Sequence, residues 1–379
     1  FYLIFYLLLL LNEFEVMGRN HPLKKKISIL SLHLGYGGIE RAVVNQANML
    51  CEKYEVEIVC LYKVIDKIPY KLNEEVKVIY LSDVKPNKYK FMEYFNQKKI
   101  LKTFKEGLKS LSILHKKNSL IKNYIYNSDS KVIISTRIDF TKKLNKYGNK
   151  DCIKVAEEHV HHHNNEKYFK QLKNALKNID YLLPTSKYLT EDYKKFLKNE
   201  NVKVIYIPNI ISVIPPKLNK LNNQNILAVG RLSPEKAYMD LIDVFKLVYT
   251  KNPSIKLTIV GDGIEKKLLN KKIKDLRLKS KIKITGFLDY DDLDREYQKA
   301  SLFVMTSLEE SFGLVLIEAM SYGVPCIAFD SALGAKEIIN GKNGLLISDR
   351  NKESMANEII KYFNYKDKSK LGKEAKKTS

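Results

Sequence analysis

The stretch Glu310-Ser311-Phe312-Gly313-Leu314-Val315-Leu316-Ile317-Glu318-Ala319-Met320 places two carboxylates on either side of a glycine turn that leads into an apolar helix. A helix that begins near Gly313 directs its free backbone N–H groups and the positive end of its dipole outward, which suits an anionic ligand. Glu310 would face the same space. Glu318, about two turns into the helix, could accept hydrogen bonds from paired hydroxyls such as a ribose diol. The alternative is that Glu310 is a surface residue near a helix start and Glu318 an ordinary residue within the helix. Without further motifs, the spacing of the two glutamates would favour that alternative.

A second segment supplies two cations. Ile226-Leu227-Ala228-Val229-Gly230-Arg231-Leu232-Ser233-Pro234-Glu235-Lys236 is typical of a buried strand, a glycine break and a helix opened by proline. Such a loop lies at the carboxyl end of a strand, where open α/β sheets bind ligands. Arg231 offers a rigid fork and Lys236 a mobile point charge, a suitable pair for a diphosphate.

Together with Gly261-Asp262-Gly263, these motifs resemble the donor half of a retaining glycosyltransferase of the GT-B fold, in the large fourth family. The resemblance runs from about residue 26 to the end of the chain. It implies an α/β protein in which two Rossmann-like domains face each other across a cleft. In that family the C-terminal domain binds a nucleotide sugar and the N-terminal domain binds the acceptor.

The resemblance also implies roles for individual residues. Arg231 and Lys236 would hold the diphosphate, Glu318 the ribose and Glu310 the sugar hydroxyls. Backbone amides of the loop before the helix would bind the sugar-phosphate, and the end of another strand would line the base pocket. The residues of these two groups are Ser311, Phe312, Gly313 and Leu314 for the loop, and Gly286 and Phe287 for the base pocket.

The first half of the chain carries a glycine loop, Leu34-Gly35-Tyr36-Gly37-Gly38-Ile39-Glu40-Arg41, between a predicted strand and a predicted helix. Its glycines would let the backbone approach a ligand closely and direct N–H groups at an anion. The spacing is not that of a dinucleotide-binding loop. A plain turn is the alternative, but we expect Gly37 and Gly38 to contact the donor, because the matching family loop reaches across the cleft.

Glu157-Glu158-His159-Val160-His161-His162-His163 follows another predicted strand of this half. Consecutive histidines suggest a metal site, but neighbours in an extended segment point in opposite directions. A solvated histidine-rich loop is the alternative. The family commonly places a histidine near the reacting sugar after this strand. By that likeness we predict His159 as an active-site residue, with His162 in reserve.

Apolar runs alternate with helical stretches throughout, which predicts parallel sheets covered by helices. We place an N-terminal domain at residues 17–210, a proline-interrupted linker at 211–222 and a C-terminal domain at 223–379. Residues 1–11 are strongly apolar but too few to cross a bilayer. We expect translation to start at Met17, with 1–16 an upstream or remnant segment, and the family's C-terminal crossing helix to be missing. The expected strands lie at residues 27–34, 56–61, 76–81, 132–136, 153–156, 226–229, 257–260, 282–285, 302–305, 326–329 and 345–347.

The net charge is +23, and the excess is largest in the first 210 residues. Its densest part, residues 85–117, has lysines around the apolar positions Leu101, Phe104, Leu108 and Leu111, which recur at helical spacing. A basic amphipathic helix at 90–117 could lie on an anionic membrane surface. Equally, its apolar stripe could pack on its own domain. No RRM, zinc-finger or KH motif accompanies the charge, so we expect no nucleic-acid partner.

We therefore predict a cytoplasmic retaining glycosyltransferase that could also lie peripherally on the inner face of the plasma membrane. It would move a sugar from a nucleoside-diphosphate sugar to a hydroxyl of a cell-envelope polysaccharide, teichoic-acid or lipid-linked acceptor. Asp289-Tyr290-Asp291 matches a metal-binding pattern of other glycosyltransferases, but we expect helix capping there and neither metal nor other cofactor. The alternatives are a sugar-nucleotide epimerase or a phosphorylase of similar architecture, and a catalytically silent scaffold at the membrane.

Overall fold

The computed structural model describes residues 24–83, 87–160, 162, 165–212 and 214–379. The expectations for residues 1–16 therefore lie outside the described residues. The same holds for Lys85 at the start of the basic segment and for His161 and His163 of the histidine run.

Thirteen parallel strands form two separate sheets in the described part of the chain. The first has the order β3-β2-β1-β4-β5-β6-β7 and the second β10-β9-β8-β11-β12-β13. The strands are β1 Lys26–Ser31, β2 Glu55–Tyr62, β3 Lys77–Ser82, β4 Val132–Ser135, β5 Ile153–Glu158, β6 Tyr181–Pro184, β7 Lys203–Val204, β8 Asn225–Val229, β9 Lys256–Val260, β10 Ile282–Ile284, β11 Leu302–Met305, β12 Cys326–Phe329 and β13 Gly344–Ile347.

Helices cover both faces of each sheet, so the strands are buried on both sides and read as continuous apolar runs. Short 3₁₀ turns occur at Pro234–Lys236 and Ser348–Arg350. The helices are α1 Gly38–Leu50, α2 Lys88–Asn96, α3 Ile100–Asn127, α4 Ile138–Tyr147, α5 Glu166–Ala175, α6 Lys187–Phe196, α7 Tyr238–Lys251, α8 Lys266–Asp275, α9 Tyr290–Lys299, α10 Leu314–Ser321, α11 Leu333–Ile338, α12 Lys352–Asn364 and α13 Ser369–Thr378.

In each sheet, strand order reverses beside the first strand of the domain. β1 lies between β2 and β4, with Ile29 opposite Ile58 and Ile134. β8 lies between β9 and β11. At such a reversal, loops at the carboxyl ends of neighbouring strands diverge and leave a crevice. The glycine loop follows β1, while the Arg231 and Glu310 loops follow β8 and β11.

All eleven expected strands form, but two short ones, β6 and β7, were not expected. The first sheet ends at Val204 and the second begins at Asn225, so the predicted linker lies between them. The last helix, α13, packs on the C-terminal domain. A Cβ on Gly372 would lie 2.9 Å from the carbonyl oxygen of Gly323, so glycine there permits the close approach.

The basic segment is not one helix, so the prediction of a single helix over 90–117 is wrong. It breaks between α2 and α3, where Lys98 has a φ of 52°. The end of α3 packs on the domain through Ile121 and Ile125. Its beginning does not, because Leu101 and Phe104 keep 86% and 68% of their surface exposed. Among the described residues, no helix is both long and apolar enough to cross a membrane.

Candidate active site

A cavity of about 390 Å³ separates the two domains at the carboxyl ends of their strands. Its walls come from both halves of the chain. The N-terminal wall includes the glycine loop and His159. The C-terminal wall includes the loops after β8 and β11. The predicted residues that line it are Gly37, Gly38, His159, Arg231, Lys236, Phe287, Glu310, Ser311, Phe312, Gly313, Leu314 and Glu318.

The loop after β8 carries both predicted cations to the cavity. Gly230 has a φ of 159°, close to fully extended, and hydrogen-bonds to the carbonyl of Val260. Beyond it Arg231 is exposed, and its guanidinium has no ion-pair partner among the described residues. Lys236 ends the 3₁₀ turn, and its ammonium forms an ion pair with the carboxylate of Glu310. One cation is thus available to an anion, and the other already joins two cavity loops.

The loop that carries Glu310 is held in place by a glycine that the sequence did not reveal. The backbone N–H of Gly334, at the start of α11, donates to the carbonyl of Glu310 at 2.8 Å. A Cβ at position 334 would come within 2.3 Å of the carbonyl oxygen of Phe312. Gly313, with φ of 91°, then turns the chain into α10. The free N–H groups of the first turn of α10 therefore begin at the cavity wall.

Glu318 lies in the cavity wall but is only 3% exposed. Its carboxylate forms an ion pair with Arg41 of the N-terminal domain and accepts a 2.7 Å hydrogen bond from the Tyr297 hydroxyl. Burial raises the pKa of Glu318, against the opposing effects of Arg41 and Tyr297. Burial alone would lower the pKa of Arg41, but the Glu318 carboxylate raises it overall, so the guanidinium stays charged. Both carboxylate oxygens thus have protein partners.

A second contact joins the two domains at the cavity wall. The ring of Tyr36 stacks on Phe287, with centroids 4.3 Å apart and planes 6° from parallel. Gly286 is not itself part of the cavity wall. Its φ of 79° and the hydrogen bond from Gly261 N–H to its carbonyl, at 3.0 Å, set the direction in which Phe287 leaves the sheet. Neither Tyr36 nor Arg41 could be paired with its partner from sequence, because the contacts join distant segments.

The side chain of Tyr70 holds the glycine loop in place. The Tyr70 hydroxyl accepts from the N–H of Gly37 at 2.8 Å and lies 2.9 Å from its carbonyl. A Cβ at Gly37 would collide with the Glu40 carboxylate, while one at Gly38 would meet nothing within 4 Å. Gly37 therefore serves the packing of the loop, whereas Gly38 leaves the backbone open at the start of α1.

Of the two histidines weighed from sequence, the structure brings His159 to the cavity. Its Nε2 lies 3.0 Å from the carboxylate of Glu157, and only 6% of its side chain is exposed. His162 pairs with Glu158 at 3.1 Å, away from the residues that line the cavity. The expected cap is also present, since the Asp289 carboxylate accepts from the N–H of Asp292 at 3.0 Å.

Two parallel-sheet domains, facing across a cleft lined by loops at the strand ends, define the GT-B class of glycosyltransferases. Comparison with solved structures confirms this fold, and a match to a family model supports the resemblance predicted from the sequence. Residues 211–378 match the model of the family described as glycosyl transferases group 1.

Individual relatives agree. The chain is 26% identical to N-acetylgalactosamine-N,N'-diacetylbacillosaminyl-diphospho-undecaprenol 4-alpha-N-acetylgalactosaminyltransferase of Campylobacter jejuni, over 87% of this chain and 88% of that one. It is 29% identical to poly(glycerol-phosphate) alpha-glucosyltransferase of Bacillus subtilis over 53% of this chain, which spans only 31% of that enzyme. In fold it matches a TarM variant of S. aureus, crystallised with Fondaparinux, alpha-GlcNAc-glycerol and UDP. The TM-score is 0.74 and the identity 19%, with 93% and 96% of the two chains covered.

Proposed function

We propose that this protein is a retaining glycosyltransferase that moves a sugar from a nucleoside diphosphate to a hydroxyl of a cell-envelope acceptor. The observation that carries the proposal is the convergence of Arg231, Lys236, Glu310 and the start of α10 on one interdomain cavity. The acceptor class is taken from the relatives. Two of them are named for a poly(glycerol-phosphate) and for a glycosyl-diphospho-undecaprenol.

The donor half supplies electrostatic stabilisation where charge develops. As the bond from the anomeric carbon to the phosphate oxygen breaks, negative charge grows on the departing diphosphate. Arg231, Lys236 and the N–H groups at the start of α10 would stabilise it there. Because these groups already carry the opposite charge, we propose that transfer needs no metal ion. Full activity after EDTA treatment is the expected result, and its loss would contradict this part of the proposal.

The ion pair between Lys236 and Glu310 bears on how configuration is retained. A carboxylate held by an ammonium is a weak nucleophile, so Glu310 suits a positioning and charge-stabilising role beside the sugar. We propose same-face attack. The acceptor oxygen bonds to the anomeric carbon on the side from which the diphosphate leaves, and a leaving phosphate oxygen takes the acceptor's proton. No covalent glycosyl-enzyme forms in this path.

A screen of donors tests the proposal directly. Nucleotide sugars built on UDP, GDP, ADP and CMP are added to the protein, and the one that binds should raise its thermal midpoint. A transferase then releases the leaving nucleotide, a nucleoside diphosphate from a UDP, GDP or ADP donor and CMP from a CMP donor, at a high rate only when a polyol-phosphate or lipid-linked acceptor is present. Use of the CMP donor would contradict the proposed diphosphate leaving group. Conversion of the sugar without acceptor would indicate an epimerase instead. Binding of a donor without any release would indicate a silent scaffold.

The exposed apolar side of α3 supports a membrane partner, which we propose as the anionic cytoplasmic leaflet that holds lipid-linked acceptors. Leu108 and Leu111 remain 53% and 64% exposed, beside the exposed Phe104. Lys102, Lys105 and Lys109 are exposed on the same helix. Apolar side chains that enter the interface, with lysines that meet anionic headgroups, are typical of helices that lie on membranes.

Replacing Lys102, Lys105 and Lys109 with glutamine should weaken binding to phosphatidylglycerol vesicles about 100-fold, because each lysine near the surface contributes about 1 kcal/mol. Vesicle co-sedimentation at fixed ionic strength measures this. The matched control replaces three exposed lysines of α8, which lies in the other domain: Lys267, Lys271 and Lys274. Equal losses in the two triple variants would mean that net charge, not α3, drives binding.

A further inference from the structure

Glu157, at the end of β5, is a buried carboxylate that the proposed function does not use. It is 7% exposed and has one partner for each oxygen. The side-chain amide of Gln46, on α1, donates to Oε1 at 2.6 Å. Nε2 of His159 lies 3.0 Å from Oε2. Gln46 is itself 6% exposed, so the three side chains form a buried chain from α1 to the cavity wall.

This chain determines which ring nitrogen of His159 carries hydrogen. An ionised carboxylate only accepts hydrogen bonds, so Nε2 must be the donor in its contact with Glu157. In a neutral imidazole the other nitrogen then has a free lone pair and can accept. That nitrogen, Nδ1, is buried and has no hydrogen-bond partner among the described residues. The ring lies in the wall of the cavity that would hold the reacting sugar.

We propose that Glu157, supported by Gln46, is a positioning residue that holds His159 in its Nε2–H tautomer. Nδ1 thereby accepts a hydrogen bond from a substrate hydroxyl. The inference rests on the proposed function for the identity of the substrate, but the tautomer itself does not depend on it. Removing the carboxylate should therefore change the state of the ring even in the absence of any ligand.

The neighbouring residue Glu158 provides a matched control. It is 4% exposed, as deeply buried as Glu157, but successive side chains of a strand point to opposite faces. Its carboxylate accepts from the hydroxyls of Tyr168 at 2.8 Å and Tyr193 at 3.1 Å, and contacts His162. Neither Glu158 nor these partners line the cavity.

The test compares Glu157→Gln with Glu158→Gln. A glutamine at 157 has one acceptor oxygen and an NH₂ group in place of two acceptor oxygens. When the NH₂ group faces His159 it donates to Nε2 and favours the Nδ1–H tautomer. Two-bond ¹H–¹⁵N spectra of histidine-labelled protein report the tautomer, and the spectrum of His159→Gln identifies the signal. In Glu157→Gln we expect a shift toward Nδ1–H and a fall in kcat of about 10- to 100-fold, with KM for the donor changed less. Glu158→Gln should keep the Nε2–H signal and kcat within about twofold.

Several results would overturn the proposal. One is an Nδ1–H tautomer in the unaltered protein, and another is an unchanged tautomer with full kcat in Glu157→Gln. A third is an equal loss of kcat and thermal midpoint in the two glutamine variants, which would indicate packing alone. If Glu157→Gln does not fold, Gln46→Met replaces it. There the carboxylate remains, so Nε2–H should persist with a smaller fall in kcat, and a full kcat would count against the support by Gln46. Absence of any transfer by the unaltered protein would refute the proposed function while leaving the tautomer result standing.

Discussion

Replacing Lys236 with alanine should lower kcat about 100- to 1000-fold, the usual cost of removing one group that stabilises developing negative charge. Two effects add at this position. The variant loses an ammonium beside the departing diphosphate, and it leaves the Glu310 carboxylate unpaired at the cavity wall. Arg231→Ala should cause a similar loss without the second effect, because Arg231 has no ion-pair partner among the described residues. Steady-state release of nucleoside diphosphate measures both.

Lys272 is the matched control for Lys236. Each of the two lysines is 21% exposed at its side chain and is held by an ion pair, with Asp243 in the case of Lys272. Lys272 lies on α8 and does not line the cavity. Lys272→Ala should keep kcat within about twofold. If Lys236→Ala and Arg231→Ala both turned over donor at the normal rate, the diphosphate assignment would be wrong.

Replacing Glu318 with glutamine should weaken donor binding about 10- to 100-fold, with a smaller change in kcat at saturating donor. A hydrogen bond from a ribose hydroxyl to a carboxylate contributes about 1.5–3 kcal/mol, and the neutral amide loses most of it. Isothermal titration with the nucleoside diphosphate identified by the donor screen measures the affinity.

The comparison with 2′-deoxy and 3′-deoxy analogues separates a ribose contact from a general weakening. The unaltered protein should bind one or both analogues much less tightly than the parent nucleotide. In Glu318→Gln the ratio of the affinities for the parent nucleotide and the analogues should be much smaller. The thermal midpoint is followed in parallel, because the variant also removes the counter-charge of Arg41. An undiminished preference for the parent nucleotide in Glu318→Gln would remove the ribose role.

The positions of the cavity loops could be predicted because they depend on local signals. Apolar runs located β1, β8 and β11, and the glycines that follow them located the turns at the strand ends. The carboxyl ends of parallel strands lie at the same edge of a sheet, so the sequence placed Arg231 and Glu310 at one edge. Their closeness there follows from the pairing of β8 with β11, which the structure shows. The two missed strands, β6 and β7, have four and two residues, too few to show a pattern.

What could not be predicted depends on contacts between distant segments. Arg41 meets Glu318, and Tyr36 meets Phe287, only because the two domains face each other in one particular orientation. Gly334 looks like any helix glycine until the carbonyl of Phe312 is placed against it. The helix break at Lys98 was also not predicted, because nothing in the sequence indicates that this lysine has a positive φ.

The bridge between Arg41 and Glu318 has a consequence for how a donor is received. In the proposed function the carboxylate that recognises the ribose is already satisfied by the opposite lobe, so an incoming nucleotide must displace an internal competitor. The measured binding free energy of a donor then contains the difference between two interactions of the Glu318 carboxylate, one with the ribose and one with Arg41. Donor binding and release of this contact between the domains are therefore coupled. The nucleotide gains its hydrogen bond to Glu318 only as the two domains lose the ion pair between Arg41 and Glu318.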